Sequence, residues 1–226
     1  MILGKGSRKF ANAVTFGSGG NQPYGIAVGD LNHDGTPDLV VANYGTEQNG
    51  DYGNVAVLLG KGDGIHFDPP VRYPVGKYED PIWLALGYFK GDGNLDVAVT
   101  TQNSNAVHVF LGNGDGTLSR PRSFFASSAG AGSIVAADFN RDGRLDLAVT
   151  SCSIPKPCHV VVLLGNGDGT FQAPKQFHVG VNPVQLVVAD FTHDGKADIA
   201  TVNGGDSTIS ILLNTTQVPP PASPEK

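Results

Sequence analysis

Asp30-Leu31-Asn32-His33-Asp34-Gly35-Thr36-Pro37-Asp38 lies between two apolar runs, Ile26-Ala27-Val28 and Leu39-Val40-Val41. Oxygen-bearing side chains occupy loop positions 1, 3, 5 and 9, and glycine occupies position 6. Outward from this loop the same apolar–acidic–apolar unit returns. It runs from Ile26 to Val41, Leu84 to Val99, Ile134 to Val149 and Leu186 to Thr201. The loop glycines Gly35, Gly93, Gly143 and Gly195 stand 58, 50 and 52 residues apart, which marks internal repeats.

A second unit follows each first one: Val57-Leu58-Leu59-Gly60, Phe110-Leu111-Gly112, Leu163-Leu164-Gly165 and Ile211-Leu212-Leu213. The first three lead into Gly62-Asp63-Gly64, Gly114-Asp115-Gly116 and Gly167-Asp168-Gly169, and then into Phe67, Leu118 or Phe171. A worn copy, Ile2-Leu3-Gly4-Lys5-Gly6, leads to Phe10. Short Val- and Ile-rich runs bounded by Gly, Asn and Asp are strands, so each repeat holds four of them. Four strands in roughly 40–50 residues is the grammar of a propeller blade. The expected fold is therefore an all-β propeller of four-stranded antiparallel blades over 1–216, with repeats at about 20–76, 77–126, 127–179 and 180–213. Residues 2–17 are expected to complete the last blade, the stretch Phe10 to Phe16 pairing with Thr208 to Leu213. Residues 217–226 read as a Pro-rich tail or linker.

Composition agrees. Gly is 31 and Pro 15 of 226 residues while charged residues are only 16%, which suits tight turns and opposes long helices. Net charge is −6 without a Lys/Arg cluster, so a nucleic-acid partner is not expected. No apolar run reaches membrane-spanning length, and Met1 to Phe10 holds no signal-peptide core.

The acidic loops have the donor pattern of a hard-cation site. Calcium takes six to eight oxygens, and alternate residues converge when glycine permits a sharp turn. The expected ligands are Asp30, Asn32, Asp34, Thr36 and Asp38; then Asp138, Asn140, Asp142, Arg144 and Asp146; then Asp190, Thr192, Asp194, Lys196 and Asp198. Thr36, Arg144 and Lys196 would contribute backbone carbonyls from position 7. Position 12 is Val41, Val149 or Thr201, so these are not EF-hands. One such loop is equally well read as a turn, but three copies in register favour about three calcium ions. Three ions would add +6 to a chain of net charge −6. The remaining loop, Tyr88 to Asp96, replaces the first ligand with tyrosine and the second with Lys90, whose ammonium would stand in for an ion. No metal is expected there.

The D-x-[DN]-x-D-G-x-x-D loop, followed by Leu163-Leu164-Gly165-Asn166-Gly167-Asp168-Gly169-Thr170-Phe171, resembles the FG-GAP repeat, also called the VCBS repeat. The resemblance implies propeller blades like those of integrin α subunits, with calcium between the first and second strands of a blade. It further implies roles seen among adhesion receptors, lectins and accessory domains of polysaccharide-active enzymes. Such propellers usually have seven blades. This chain has material for four, so ring closure by one chain, a fragment, or two copies forming a homodimeric ring all stay open.

The face opposite the loops carries Tyr44, Glu47, Asp51 and Tyr52 in one connection, and Lys77, Tyr78, Glu79, Asp80 and Trp83 near the next. Tyr44, Tyr52, Tyr78 and Trp83 suit a carbohydrate or an extracellular protein, although Trp83 serves equally well as filler at the ring centre. Cys152 and Cys158 bracket a Pro-rich hairpin turn and are expected to be bridged, outside the cytoplasm or at the cell surface. No catalytic motif stands out. The leading expectation is a non-catalytic, calcium-binding recognition or adhesion module. A polysaccharide-active accessory or catalytic domain and a structural spacer are its rivals.

Overall fold

The computed structural model describes residues 11–46, 52–126, 130–152 and 157–216. They form an all-β fold in four antiparallel sheets. The first sheet comprises β1 (Pro23–Gly29), β2 (Asp38–Gly45), β3 (Tyr52–Leu58) and β4 (Val71–Pro74). The second comprises β5 (Pro81–Gly87), β6 (Asp96–Thr101), β7 (Ala106–Phe110) and β8 (Arg122–Phe125). The third holds β9 (Ala131–Ala137), β10 (Asp146–Cys152), β11 (Cys158–Leu163) and β12 (Lys175–His178). The fourth has three strands, β13 (Pro183–Ala189), β14 (Asp198–Asn203) and β15 (Thr208–Leu212). Among the described residues no helix is long and apolar enough to cross a membrane.

Every strand pairs with its sequence neighbour, as consecutive hairpins demand. The sheets stack through their first strands, β1 on β5, β5 on β9 and β9 on β13. Stacking covers both faces of the middle strands in the second and third sheets, which explains their unbroken apolar runs. Val40, Ala42, Val55 and Val57 of the first sheet share a cluster with Val97, Val99 and Phe110 of the second. Ala98, Val107 and Val109 likewise meet Ile134, Leu147 and Val149, and Val160 and Val162 meet Leu186 and Ile199. Each fully buried aliphatic side chain contributes about 1.5–3 kcal/mol. The fourth strands lie outermost and are short and largely exposed.

Cys152 and Cys158 face each other in the β10–β11 register and form a disulfide, as expected from the hairpin. Closing so short a loop stabilises the fold by about 2–3 kcal/mol in the chain-entropy account.

The N-terminal segment departs from expectation. Residues 11–18 form no strand and do not pair with β15; Phe16 packs on Phe67 of the first sheet, ring centroids 4.9 Å apart. The physical reason is weak register. The irregular apolar order of Ala11, Ala13, Val14 and Phe16 fixes no strand face, whereas the contact with Phe67 gives Phe16 a partner even though it stays 41% exposed. No sheet is closed among the described residues. Residues 1–10 and 217–226, with Glu47 and Asp51, lie outside them.

Candidate functional site

Each acidic loop joins the first strand of a sheet to the second, so all four open at one end of the stack. The loops curl because positions 4 and 6 both take left-handed backbone. These are His33 and Gly35 (φ 60° and 79°), Arg141 and Gly143 (60° and 82°), and His193 and Gly195 (59° and 80°). A non-glycine residue there costs about 1–2 kcal/mol, which the loop's own hydrogen bonds offset. The Asp34 N–H donates to Asp30 and Asn32 at 3.2 Å each, and the Gly35 N–H to Asp30 at 2.9 Å. In the third loop the Asp142 N–H reaches Asp138 and Asn140 at 3.1 Å, and the Gly143 N–H reaches Asp138 at 2.9 Å. The fourth repeats this with Asp194 and Gly195 on Asp190, at 3.1 and 2.8 Å. Positions 1, 3 and 5 are thus drawn together in the first and third loops, and positions 1 and 5 in the fourth.

The position-9 aspartates have a structural task that sequence reasoning missed. Asp38 is wholly buried and accepts backbone N–H groups from Leu31 and Gly60, both at 2.8 Å. Asp146 does the same for Phe139 and Gly165 at 2.9 and 2.8 Å, and Asp198 for Phe191 and Asn214 at 3.0 and 2.7 Å. Asp96, in the loop with no expected metal, accepts from Lys90 at 3.0 Å and Gly112 at 2.9 Å. This carboxylate pins the loop to the end of the third strand, and its retention beside Lys90 was the available signal.

Position 5 always meets a donor. Asp34 accepts from Thr36 and Asn32, Asp142 from Arg144 and Asn140, and Lys196 lies 3.0 Å from Asp194. In the second loop the Lys90 ammonium lies 2.9 Å from Asp92, as expected; its partner at Asp96 is the Lys90 backbone, not the ammonium. Hydrogen bonds from Thr36 hold the Asp34 carboxyl below the usual range, and those from Lys90 and Lys196 do so for Asp92 and Asp194. Burial pushes Asp38, Asp96 and Asp146 upward, and the neighbouring loop carboxylates Asp34 and Asp30, or Asp142 and Asp138, push Asp38 and Asp146 further.

Mutual carboxylate repulsion is what a divalent cation would relieve, and a carboxylate bonded to two N–H groups retains further lone pairs. The donor set of the first, third and fourth loops therefore fits a calcium ion. Among the described residues no three His, Cys, Asp or Glu side chains form a metal-holding group.

The FG-GAP-like repeat family matches residues 88–149 and 153–201, and the FG-GAP repeat matches residues 23–58. The chain belongs to the FG-GAP repeat family. No curated protein sequence matches it. Among solved structures, the Vibrio cholerae biofilm matrix protein Bap1 aligns at 16% identity and a TM-score of 0.42, covering 85% of this chain and 37% of that one. The Photorhabdus luminescens Tc holotoxin pore aligns at 14% identity and 0.42, covering 89% of this chain and 12% of that one. The chain thus spans well under half the length of either.

At the opposite end of the FG-GAP sheets, tyrosines gather. Tyr52 and Tyr78 meet edge to face at 5.2 Å, and the Lys77 ammonium lies 5.7 and 4.9 Å from their centroids. Tyr44 pairs with Tyr24 at 5.4 Å. Tyr24, at the start of β1, was not foreseen; only the β1–β2 register brings it to Tyr44. Trp83 is partly exposed and stands apart from these ring pairs. Two histidine groupings also come from pairing alone. His159 and His178 face each other across β11 and β12 at 4.5 Å. His108 is buried among Glu79, Ser104 and Ser123, where burial lowers its pKa to about 4 and raises Glu79. This network ties the connection before β5 to the outer hairpin of the second sheet.

Proposed function

We propose that this FG-GAP chain is a calcium-stabilised, propeller-type recognition or adhesion module of the extracellular space. The observation that carries the calcium reading is a contrast between loops of one shape. The first, third and fourth loops group two carboxylates with an Asn or Thr around a buried aspartate, while the second loop has Tyr88 and Lys90 and sets an ammonium on Asp92. The ions would be held by Asp30, Asn32, Asp34, Asp38 and the Thr36 carbonyl, and by the matching residues of the third and fourth loops. Calcium would supply charge neutralisation and fix the turn.

Calorimetric titration should count three sites. Replacing Tyr88→Asp together with Lys90→Asn should raise the count to four. A wild-type count of four would remove the role given to Lys90, and a count of zero would remove the calcium reading.

The recognition reading rests on the tyrosine end. Paired aromatic rings with a nearby cation offer flat apolar faces edged by hydroxyls, which suits a sugar or a peptide. A glycan array probed with and without EGTA should find a ligand whose affinity falls at least tenfold in Tyr52→Ala or Tyr78→Ala, about 1.4 kcal/mol or more. Binding unchanged in both variants would move the site elsewhere.

A further inference from the structure

One junction between sheets occurs three times in this chain, and residues of both its halves stand exposed at the two ends, although Leu39, Val41 and Leu58, on the same face of the first sheet as Ile26 and Val28, are buried. In each junction the third-strand residues of one sheet enter the next: Val55 and Val57, Val107 and Val109, Val160 and Val162. Their counterparts in the fourth sheet are Ile209 and Ile211, which are 68% and 56% exposed. Val202, level with the buried Ala42, is exposed as well. At loop position 2, Leu31, Phe89 and Phe139 are buried, and the following sheet bonds each carbonyl. The donors are the Gly116 N–H at 3.1 Å, the Gly169 N–H at 3.0 Å and the Asn214 amide at 2.7 Å. The equivalent Phe191 is 44% exposed.

At the other end, Ile26 and Val28 of β1 are 64% and 61% exposed, while Ile134 and Leu186, which correspond to Ile26, are buried and Leu86, Ala136 and Val188, which correspond to Val28, are half-buried. Residues 11–16 lie against this end in a telling position. Phe16 meets Phe67 at a tilt, ring centroids 4.9 Å apart, at the position where Phe124 of the second sheet meets Phe171 of the third edge to face at 5.2 Å. Sequence spacing agrees, since Phe10 precedes Phe16 by the six residues that separate Phe171 from Phe177. Phe16 therefore stands where the fourth strand of a preceding sheet belongs, and the fourth sheet is the one without a fourth strand.

We propose that a second copy of this chain occupies the open face of the fourth sheet. The copy would set Ile26 and Val28 beside Val202, Ile209 and Ile211, and lay its residues 11–16 along the free edge of β15. The Gly64 N–H of its Gly-Asp-Gly turn would meet the Phe191 carbonyl, as Gly116 meets Leu31. The junction is head-to-tail, and made reciprocally it closes a ring of eight sheets from two chains, within the known range of about four to eight. A copy of this chain fits better than an unrelated partner because it supplies all these features in the register already used three times. The junction does not rest on the calcium reading.

Light scattering on the purified full chain should give twice the chain mass of 23.5 kDa. Ile209→Asp and Ile26→Asp each break one half of the junction. Both side chains are exposed in the single chain, so each variant should be a folded monomer with the wild-type circular dichroism spectrum. Mixing the two variants should restore one intact junction and a dimeric mass. A monomeric wild type overturns the proposal. So does a dimer that survives Ile26→Asp, which would mean that two fourth sheets pair with each other. A monomer whose melting temperature falls with Ile209→Asp would mean that the chain closes on itself, and also overturns it.

Discussion

Chelation with EGTA should lower the melting temperature of the wild-type protein by roughly 15–30 °C. The estimate follows from linkage. An ion bound only by the folded state, at about one hundred times its dissociation constant, adds about 2.7 kcal/mol, so three sites add about 8 kcal/mol. For a chain of this length each kcal/mol shifts the midpoint by about 2–4 °C. Asp142→Ala should forfeit one site's share in calcium, roughly 5–10 °C. In EGTA it should change little, because the exposed Asp142–Arg144 pair contributes at most about 1 kcal/mol. Differential scanning calorimetry in both buffers separates the cases. Equal midpoints with and without calcium in the wild type would reject the premise.

Asp96→Ala should cost about 2–5 kcal/mol and lower the midpoint by roughly 5–20 °C, by the same amount in calcium and in EGTA. The substitution strands the Lys90 and Gly112 N–H groups, and Asp96 itself is fully buried. Each stranded donor costs about 1–3 kcal/mol, and relief of the burial that raises the Asp96 pKa returns part of it. Asp96→Asn keeps an acceptor oxygen and should lose less. A calcium-dependent loss in Asp96→Ala would mean that this aspartate ligates an ion and that the second loop is a site after all. The comparison isolates what position 9 does for the fold from what it does for a cation, which no substitution in the other loops achieves.

Repeat number, strand order and the placement of the acidic loops were legible in the sequence, because each rests on local patterns that recur at a fixed period. The Cys152–Cys158 bridge was legible for the same reason, both cysteines lying at the base of one hairpin. Features set by cross-strand register were not. His159 and His178 are 19 positions apart in sequence, and only the length of the β11–β12 connection makes them neighbours. Tyr24 joins Tyr44 through the irregular start of the β1–β2 ladder. The clamp role of Asp38, Asp146 and Asp198 was hidden because the same residue type also fits the ligand pattern expected of the loop. The path of residues 11–16 was unreadable from an alternation that favours neither face.

The carbonyl at loop position 2 has a consequence for cooperativity. Leu31, Phe89 and Phe139 each accept a hydrogen bond from the sheet that follows, so the first three acidic loops are each also a clasp on the next sheet. Among the described residues the main contacts between sheets join successive ones, and the array behaves as a one-dimensional lattice with nearest-neighbour coupling. In such a lattice, order spreads from one unit to the next and melts from whichever end is least coupled. Stiffening one loop would be felt most strongly by the sheet after it and only weakly two sheets away. Disturbances in this chain therefore travel as a short-range correlation between adjacent sheets, felt equally on both sides of each clasp because coupling free energies are reciprocal.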